Sequence, residues 1–274
     1  MPVGGAADRA ALALGNALVG NPPNTLALEI TLAGPTLEAT GEHACAVMGA
    51  PFALWLNSRP LAIGRTFTVR SGDLLQIATP ERGLRAYLCV RGGFEAPEIL
   101  GSRSAFEPLQ AGAELVCPPS TLPGRFIQLP APPADEQHLL RVLRGTHAEQ
   151  FPADVFVSQE YTVSADSNRM GLRLEGRPLP RSQAEELLSA PVCPGTVQVT
   201  NDGLPVVLGV DAQTIGGYPR LAHVITADLD KLGQLRPGET VRFTWVDPPA
   251  ARELLRVRQA WLRGWVTRLL ASAA

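Results

Sequence analysis

The sequence predicts a mainly β fold with a few helices. Two observations carry this expectation. The 26 glycines and 25 prolines are spread along all 274 residues. Between them lie short runs rich in branched side chains, the pattern of short strands closed by frequent turns. Helical periodicity is confined to residues 6–18, residues 182–188 and the C-terminal stretch. A doubly wound sheet needs a helix between successive strands, so a sandwich or barrel is the better fit.

Taken in order, the first helix is expected over residues 6–18, followed by strands at 25–32, 65–69 and 84–90. Residues 129–136 read LPAPPADE, and their prolines and acids suit an extended, solvated connection. A boundary is therefore placed there, with one subdomain over residues 1–130 and a second over 137–247. Further strands are expected at 196–199 and 206–210. Residues 248–274 form a C-terminal amphipathic helix, started by Asp247, Pro248 and Pro249. Leu254, Val257, Trp261, Trp265 and Leu269 fall on one stripe, with Arg252, Arg256, Arg263 and Arg268 mostly off it. Such a helix packs on its own domain or on a partner subunit; a membrane-surface helix is the sharper alternative. Three segments echo one another: Ser71-Gly72-Asp73, Ala111-Gly112-Ala113 and Pro237-Gly238-Glu239 each place a glycine turn before a strand-like run.

Composition narrows the partners. Hydrophobic residues make up 45% and charged residues 18%, with a net charge of −2, ordinary for a soluble globular chain. This leaves no electrostatic case for nucleic acid or an anionic membrane. No secretory pattern opens the chain and no run of about 18 apolar residues occurs, so the expected location is cytoplasmic. Cys45, Cys89, Cys117 and Cys193 lack Cys-x-x-Cys spacing and read as small buried hydrophobes in a reducing compartment. His43, His138, His147 and His223 are scattered, and no metal site is expected. Lys231 is the only lysine, so any chemistry that needs a lysine has one candidate.

No Gly-x-Ser-x-Gly elbow and no phosphate loop is present. The densest polar segment follows an expected buried strand: Asp211, Gln213, Thr214, Gly216, Gly217 and Tyr218. Polar groups at a strand's end point where a sheet opens, and paired glycines let a ligand approach the backbone. Asp211 suits a base or an orienting group, and Thr214 and Tyr218 suit hydrogen-bond donors to a carboxylate or phosphoryl oxygen. A polar hairpin end with a glycine turn would look the same. Two more clusters offer hydroxyl and guanidinium donors: Ser102 with Arg103, and Ser167 with Arg169 and Arg173. Each suits an anion grip or an ordinary surface turn.

The order of these clusters resembles the KipA-like family, which includes the second component of allophanate hydrolase and the C component of 5-oxoprolinase, and is also called the biotin-dependent carboxyltransferase A/B family. The residues that carry the resemblance begin with Arg91-Gly92-Gly93 and Gly101-Ser102-Arg103-Ser104. They continue with Ser167-Asn168-Arg169-Met170-Gly171-Leu172-Arg173-Leu174, with Gln198, Gly203 and Pro205, and with the segment from Asp211 to Pro219. Asp8-Arg9, Asn16, Gly20-Asn21, Leu28-Glu29 and Ala227-Asp228-Leu229 also fit, and the match runs from about Val3 to Trp245. The chain departs from the family pattern in a short stretch after Ser104, in Ala113 and in Asn168, the last two standing where aspartate is usual.

The resemblance implies two cyclophilin-like β-barrel subdomains. It implies a subunit of an ATP-dependent 5-oxoprolinase, which opens the lactam of 5-oxoproline to glutamate with a KipI-like subunit (the B component of 5-oxoprolinase) and a third subunit. ATP with magnesium would be shared with those partners. Asp211, Gln213, Thr214 and Tyr218 would be catalytic; Ser102, Arg103, Ser167, Arg169, Arg173, Gln198, Gly216 and Gly217 would hold substrate or phosphate. The alternatives are a carboxyltransferase acting on urea or a related amide, with biotin on another chain, or a non-catalytic subunit that binds a KipI-like protein.

Overall fold

Asp8 sets the first helix. Its carboxylate accepts the amide of Ala11 at 2.9 Å, so helix α1 (Arg9–Leu18) begins behind a capped turn. The computed structural model describes residues 4–105, 107–128, 138–182 and 187–272. The proline-rich connection at 129–136 and most of the helix expected at 182–188 lie outside the described residues. By its contacts the chain divides into two units: Asp8–Pro130 with Ala260–Ala274, and Ala131–Gln259 with Met1–Ala7.

The first unit holds strands β1 (Leu28–Thr31), β2 (Thr36–Glu38), β3 (His43–Gly49), β4 (Phe52–Leu56), β5 (Arg59–Leu61), β6 (Thr66–Val69), β7 (Leu74–Pro80) and β8 (Arg85–Val90). They form two four-stranded sheets, ordered β1-β8-β3-β6 and β2-β7-β4-β5. Val47, Ile30 and Leu88 of one sheet and Leu54, Leu75 and Ile77 of the other share one buried core. Helix α1 is tied to this unit by buried amides. Asn21 donates to the Val90 carbonyl (2.7 Å) and to Asn16 (3.1 Å), while its own oxygen accepts the amide of Gly92 (2.8 Å). Each carboxamide thus replaces backbone partners that burial would otherwise leave unpaired.

The second unit closes on itself. Strands β9 (Leu139–Arg144), β10 (Tyr161–Val163), β11 (Gly171–Glu175), β13 (Thr196–Val199), β14 (Pro205–Leu208), β16 (Arg220–Val224) and β17 (Thr240–Trp245) form a barrel in the order β10-β11-β14-β13-β16-β9-β17. Closure leaves no free sheet edge. Inside, Phe156 of the short helix α2 (Ala153–Val157) stacks on Phe243 with centroids 4.6 Å apart, and Tyr161 meets Phe243 edge-on at 5.7 Å. Outside the ring, β12 (Ala190–Pro191) pairs with β15 (Ile215–Gly216).

Near the end of the chain come the short helix α3 (Leu229–Leu232) and the long helix α4 (Pro248–Ala271). Asp247 opens α4 as expected, accepting the amide of Ala250 at 2.8 Å. Residues to Gln259 count with the second unit and those from Ala260 with the first. Ala251 and Leu254 pack on Ile225 and Ala227, and Leu269 is buried. Val257 departs from the expected stripe: it is 53% exposed. No helix of the described residues is long and apolar enough to cross a membrane.

The three echoed segments make the same turn. Asp73, Ala113 and Glu239 each donate their amide to the carbonyl three residues back, at 2.9, 3.1 and 3.1 Å, across glycines with φ of 85°, 84° and 86°. Asp73 and Glu239 also accept the amide of the residue three before, Arg70 and Arg236. Strands β7 and β17 follow these two turns. Ala113 has no carboxylate to close its turn, and no strand begins directly after it.

Candidate functional site

The polar segment after β14 is anchored by one close approach. Gly209 donates to the Met170 carbonyl at 2.9 Å and Asp211 to the Arg169 carbonyl at 3.1 Å. A side chain at Gly209 would run into the Arg169 carbonyl, so the tight docking of the two loops depends on glycine there. The side chains then join. Arg169 Nε donates to Asp211 Oδ2 at 2.5 Å and Nη2 to Oδ1 at 3.2 Å, while Nη2 also reaches the Gly5 carbonyl at 2.7 Å. This two-pronged pair, with Arg169 27% and Asp211 10% exposed, is geometrically specific. It fixes where the residues after Asp211 leave the barrel.

The hairpin that carries Arg169 closes on its own polar groups. The Ser167 hydroxyl accepts the Arg173 amide at 3.0 Å and donates to the Arg173 carbonyl at 3.3 Å. Asn168 Oδ1 accepts the Met170 amide at 2.8 Å. An asparagine keeps the acceptor that an aspartate would supply here and removes its charge. Arg173 is exposed and close enough to Asp202 to bear on its ionisation. The Asp202 carboxyl is held below the usual range mainly by the Thr200 hydroxyl at 2.5 Å, with the Arg173 charge adding to this.

Gln198 lies buried beneath the segment. Its Nε2 donates to the Tyr218 carbonyl at 3.4 Å, and a Cβ at Gly216 would sit 2.7 Å from that nitrogen. Gly216 is thus a requirement of close packing against Gln198. The β12–β15 ladder, with Val192 donating to the Thr214 carbonyl at 2.9 Å, holds the far side. Gln213, Thr214, Gly217 and Tyr218 remain exposed, Tyr218 by 43%. The side chains of Gln213, Thr214 and Tyr218 have no hydrogen-bond partner among the described residues.

Ser102 and Arg103 belong to the first unit. Ile99 and Ser102 exchange amide hydrogen bonds across a turn at 2.8 and 3.0 Å, and the Ser102 hydroxyl accepts the Ser104 amide at 3.2 Å. Arg103 meets Glu98 at 3.4 Å, both about half exposed. Within the second unit the structure thus pairs Arg169 with Asp211, Ser167 with the backbone of Arg173, and Gln198 with Gly216 and Tyr218, and leaves Gln213, Thr214 and Gly217 on the exposed stretch after Asp211.

A model of the carboxyltransferase domain, subdomain A and B, matches residues 1–245. The chain belongs to this family. This carboxyltransferase-family chain is 35% identical over 282 residues to the C component of 5-oxoprolinase from Haemophilus influenzae, covering 94% of the chain and 87% of the relative. It is 34% identical over 275 residues to the C component of 5-oxoprolinase from Escherichia coli K12, covering 93% and 85%. The crystal structure of the Kluyveromyces lactis urea amidolyase matches with a TM-score of 0.87 at 29% identity, over 96% of this chain but 18% of that one.

Two features of the carboxyltransferase chain escaped the sequence reading. One is a scaffold: fully buried Asp228 accepts Arg141 Nε at 2.8 Å, Arg141 Nη2 at 2.5 Å and the Arg141 amide at 2.9 Å, and pairs with Lys231 at 3.1 Å. Burial pushes the Asp228 pKa up, but the Arg141 hydrogen bonds and the two nearby cations outweigh it and leave the carboxyl below its usual range. The other is a cavity of about 480 Å³ in the second unit, floored by Phe151, Leu179, Val199 and Pro219 and rimmed by Arg181 and Asp202. The turn Asn201-Asp202-Gly203 was visible in the sequence; its pairing with residues 178–181 was the missing signal.

Proposed function

We propose that this chain is a subunit of an ATP-dependent 5-oxoprolinase that acts with a KipI-like subunit and a third subunit. The observation that carries the reading is likeness over nearly whole chains to two proteins named as the C component of 5-oxoprolinase. The exposed donors of Gln213, Thr214 and Tyr218 beside the anchored Arg169–Asp211 pair support it. In this reading the γ-phosphoryl group of ATP passes to the lactam carbonyl oxygen and ADP leaves. Water then adds to the activated carbon and the ring C–N bond breaks as the nitrogen takes a proton, which leaves an acyl phosphate; a second water hydrolyses it, releasing phosphate and giving glutamate. Thr214 and Tyr218 donate to oxygens on which charge develops, Arg173 supplies positive charge, and Asp211 orients the loop through Arg169. Among the described residues no group of three or more His, Cys, Asp or Glu is placed to hold a metal ion; magnesium is assigned to the nucleotide and the partner subunits.

A second reading, a biotin-dependent carboxyltransferase, is favoured by the match to urea amidolyase. Lys231 Nζ is engaged by Asp228 and by the Leu139 carbonyl at 3.0 Å, so in that reading biotin arrives on another chain. The test is ADP release by the assembled subunits with and without 5-oxoproline. Release should require this chain and should fall about 100-fold in Tyr218→Phe or Thr214→Val at unchanged melting temperature. Absence of 5-oxoproline-dependent release from the full assembly would sink the first reading and leave the biotin-linked one, or a binding-only subunit.

A further inference from the structure

The cavity of the second unit combines an apolar floor with opposite charges on its rim. Phe151, Leu179, Val199 and Pro219 are buried and form the floor. Its volume of about 480 Å³ lies in the range of small-molecule sites.

Both rims are held by the backbone. On one side, Arg181 Nε donates to Gln150 Oε1 at 2.9 Å, and the Ser182 amide and hydroxyl donate to the Gln150 carbonyl at 2.8 and 3.1 Å. This fixes the direction of the guanidinium. On the other side, Gly203 donates to the Thr200 carbonyl at 3.0 Å and accepts the Leu179 amide at 2.9 Å, tying the turn to the cavity wall. Asp202 stands on that turn, with Oδ1 accepting from Thr200. Asn201 beside it is exposed, and its carboxamide has no hydrogen-bond partner among the described residues. Arg220, next to Pro219, adds charge to the Arg181 side. Burial, then Arg220 and Arg181, push the pKa of His147 below its ordinary value, so this side is cationic without the imidazole.

On the Asp202 side Arg173 stands close as well, so an anion alone meets mixed charge there, while a cation alone would meet Arg181. A molecule carrying both signs, or a carboxylate beside an N–H donor, satisfies both rims at once. We propose that this cavity binds a small amino-acid-like ligand, with its α-carboxylate at Arg181, its N–H or ammonium at Asp202 and Asn201, and its apolar body on Phe151, Leu179 and Val199. The assignment deepens the 5-oxoprolinase reading and rests on it for the choice of 5-oxoproline as a probe.

The test is calorimetric titration of the whole chain with L-5-oxoproline, L-proline and 2-pyrrolidinone, the last a lactam without a carboxylate. Both carboxylates should bind, and 2-pyrrolidinone should bind at least about tenfold more weakly. Arg181→Gln should bring 5-oxoproline down to the level of 2-pyrrolidinone. Asp202→Asn is the independent arm and should weaken proline, with its full ammonium, more than 5-oxoproline. Equal binding with and without the carboxylate, unchanged affinity in both variants, or no binding of any probe at millimolar concentration would overturn the assignment. Turnover by the assembled subunits that keeps its KM in Arg181→Gln would also overturn it while leaving the proposed function in place. Binding here without any ADP release would do the reverse.

Discussion

Two aspartates in the second unit use the same arginine–carboxylate chemistry for opposite ends. Asp228 has no exposed surface and is held by the Arg141 side chain, the Arg141 amide and Lys231. Asp211 is held by one arginine at the rim of an exposed loop. The first arrangement ties β9 to the segment before α3, and its loss would unpair charges inside the fold. The second positions a run of donors that the fold does not itself consume. The contrast lies in burial and partner count, not in residue type: one pair is enclosed by the fold, and the other leaves the residues beside it exposed.

The largest effect should come from Asp228→Ala. Stranding Arg141 and Lys231 should cost about 3–5 kcal/mol in chemical denaturation; a loss below about 1 kcal/mol would mean the network is already solvated. The pH dependence has a definite sign. The folded pKa of Asp228 lies below its usual value, so its contribution is present above the unfolded value of about 3.9 and lost as pH falls through the folded one. The variant should therefore show a shallower acid-side decline than the parent. Next comes Arg169→Ala, which leaves Asp211 without its two-pronged partner. It should cost about 1–3 kcal/mol and lower 5-oxoproline-dependent turnover by more than the unfolded fraction explains. Unchanged turnover would show that the loop needs no such anchor. The smallest effect belongs to Arg103→Ala in the first unit, where both partners are half exposed. It should stay within about 0.5 kcal/mol, and a larger loss would move Ser102 and Arg103 out of the class of surface turns.

Local features were legible in the sequence where local physics decides them. The strand expected at 196–199 coincides with β13, and those at 65–69 and 84–90 begin one residue early against β6 and β8. The first helix starts at Arg9 instead of residue 6 because Asp8 caps it. Strand β14 ends at Leu208, short of the expected residue 210, because the Gly209 amide turns to the Met170 carbonyl. That contact spans distant parts of the chain, and no local pattern announces it. The same holds for the candidate site. The polar clusters brought Arg169 and Asp211 to attention as separate groups, while their pairing joins residues 42 positions apart and is a product of the fold. The stripe on α4 was legible as a periodicity, but which part of it is covered depends on neighbours such as Ile225 and Ala227.

The single lysine has a practical consequence. Lys231 Nζ is held between the Asp228 carboxylate and the Leu139 carbonyl, and an ammonium so engaged must release both contacts and shed a proton before it can attack an acylating reagent. The chain therefore carries one side-chain amine at a structural junction of its barrel. Its labelling rate is a chemical clock for the opening of that corner, with no competing lysine to blur the reading.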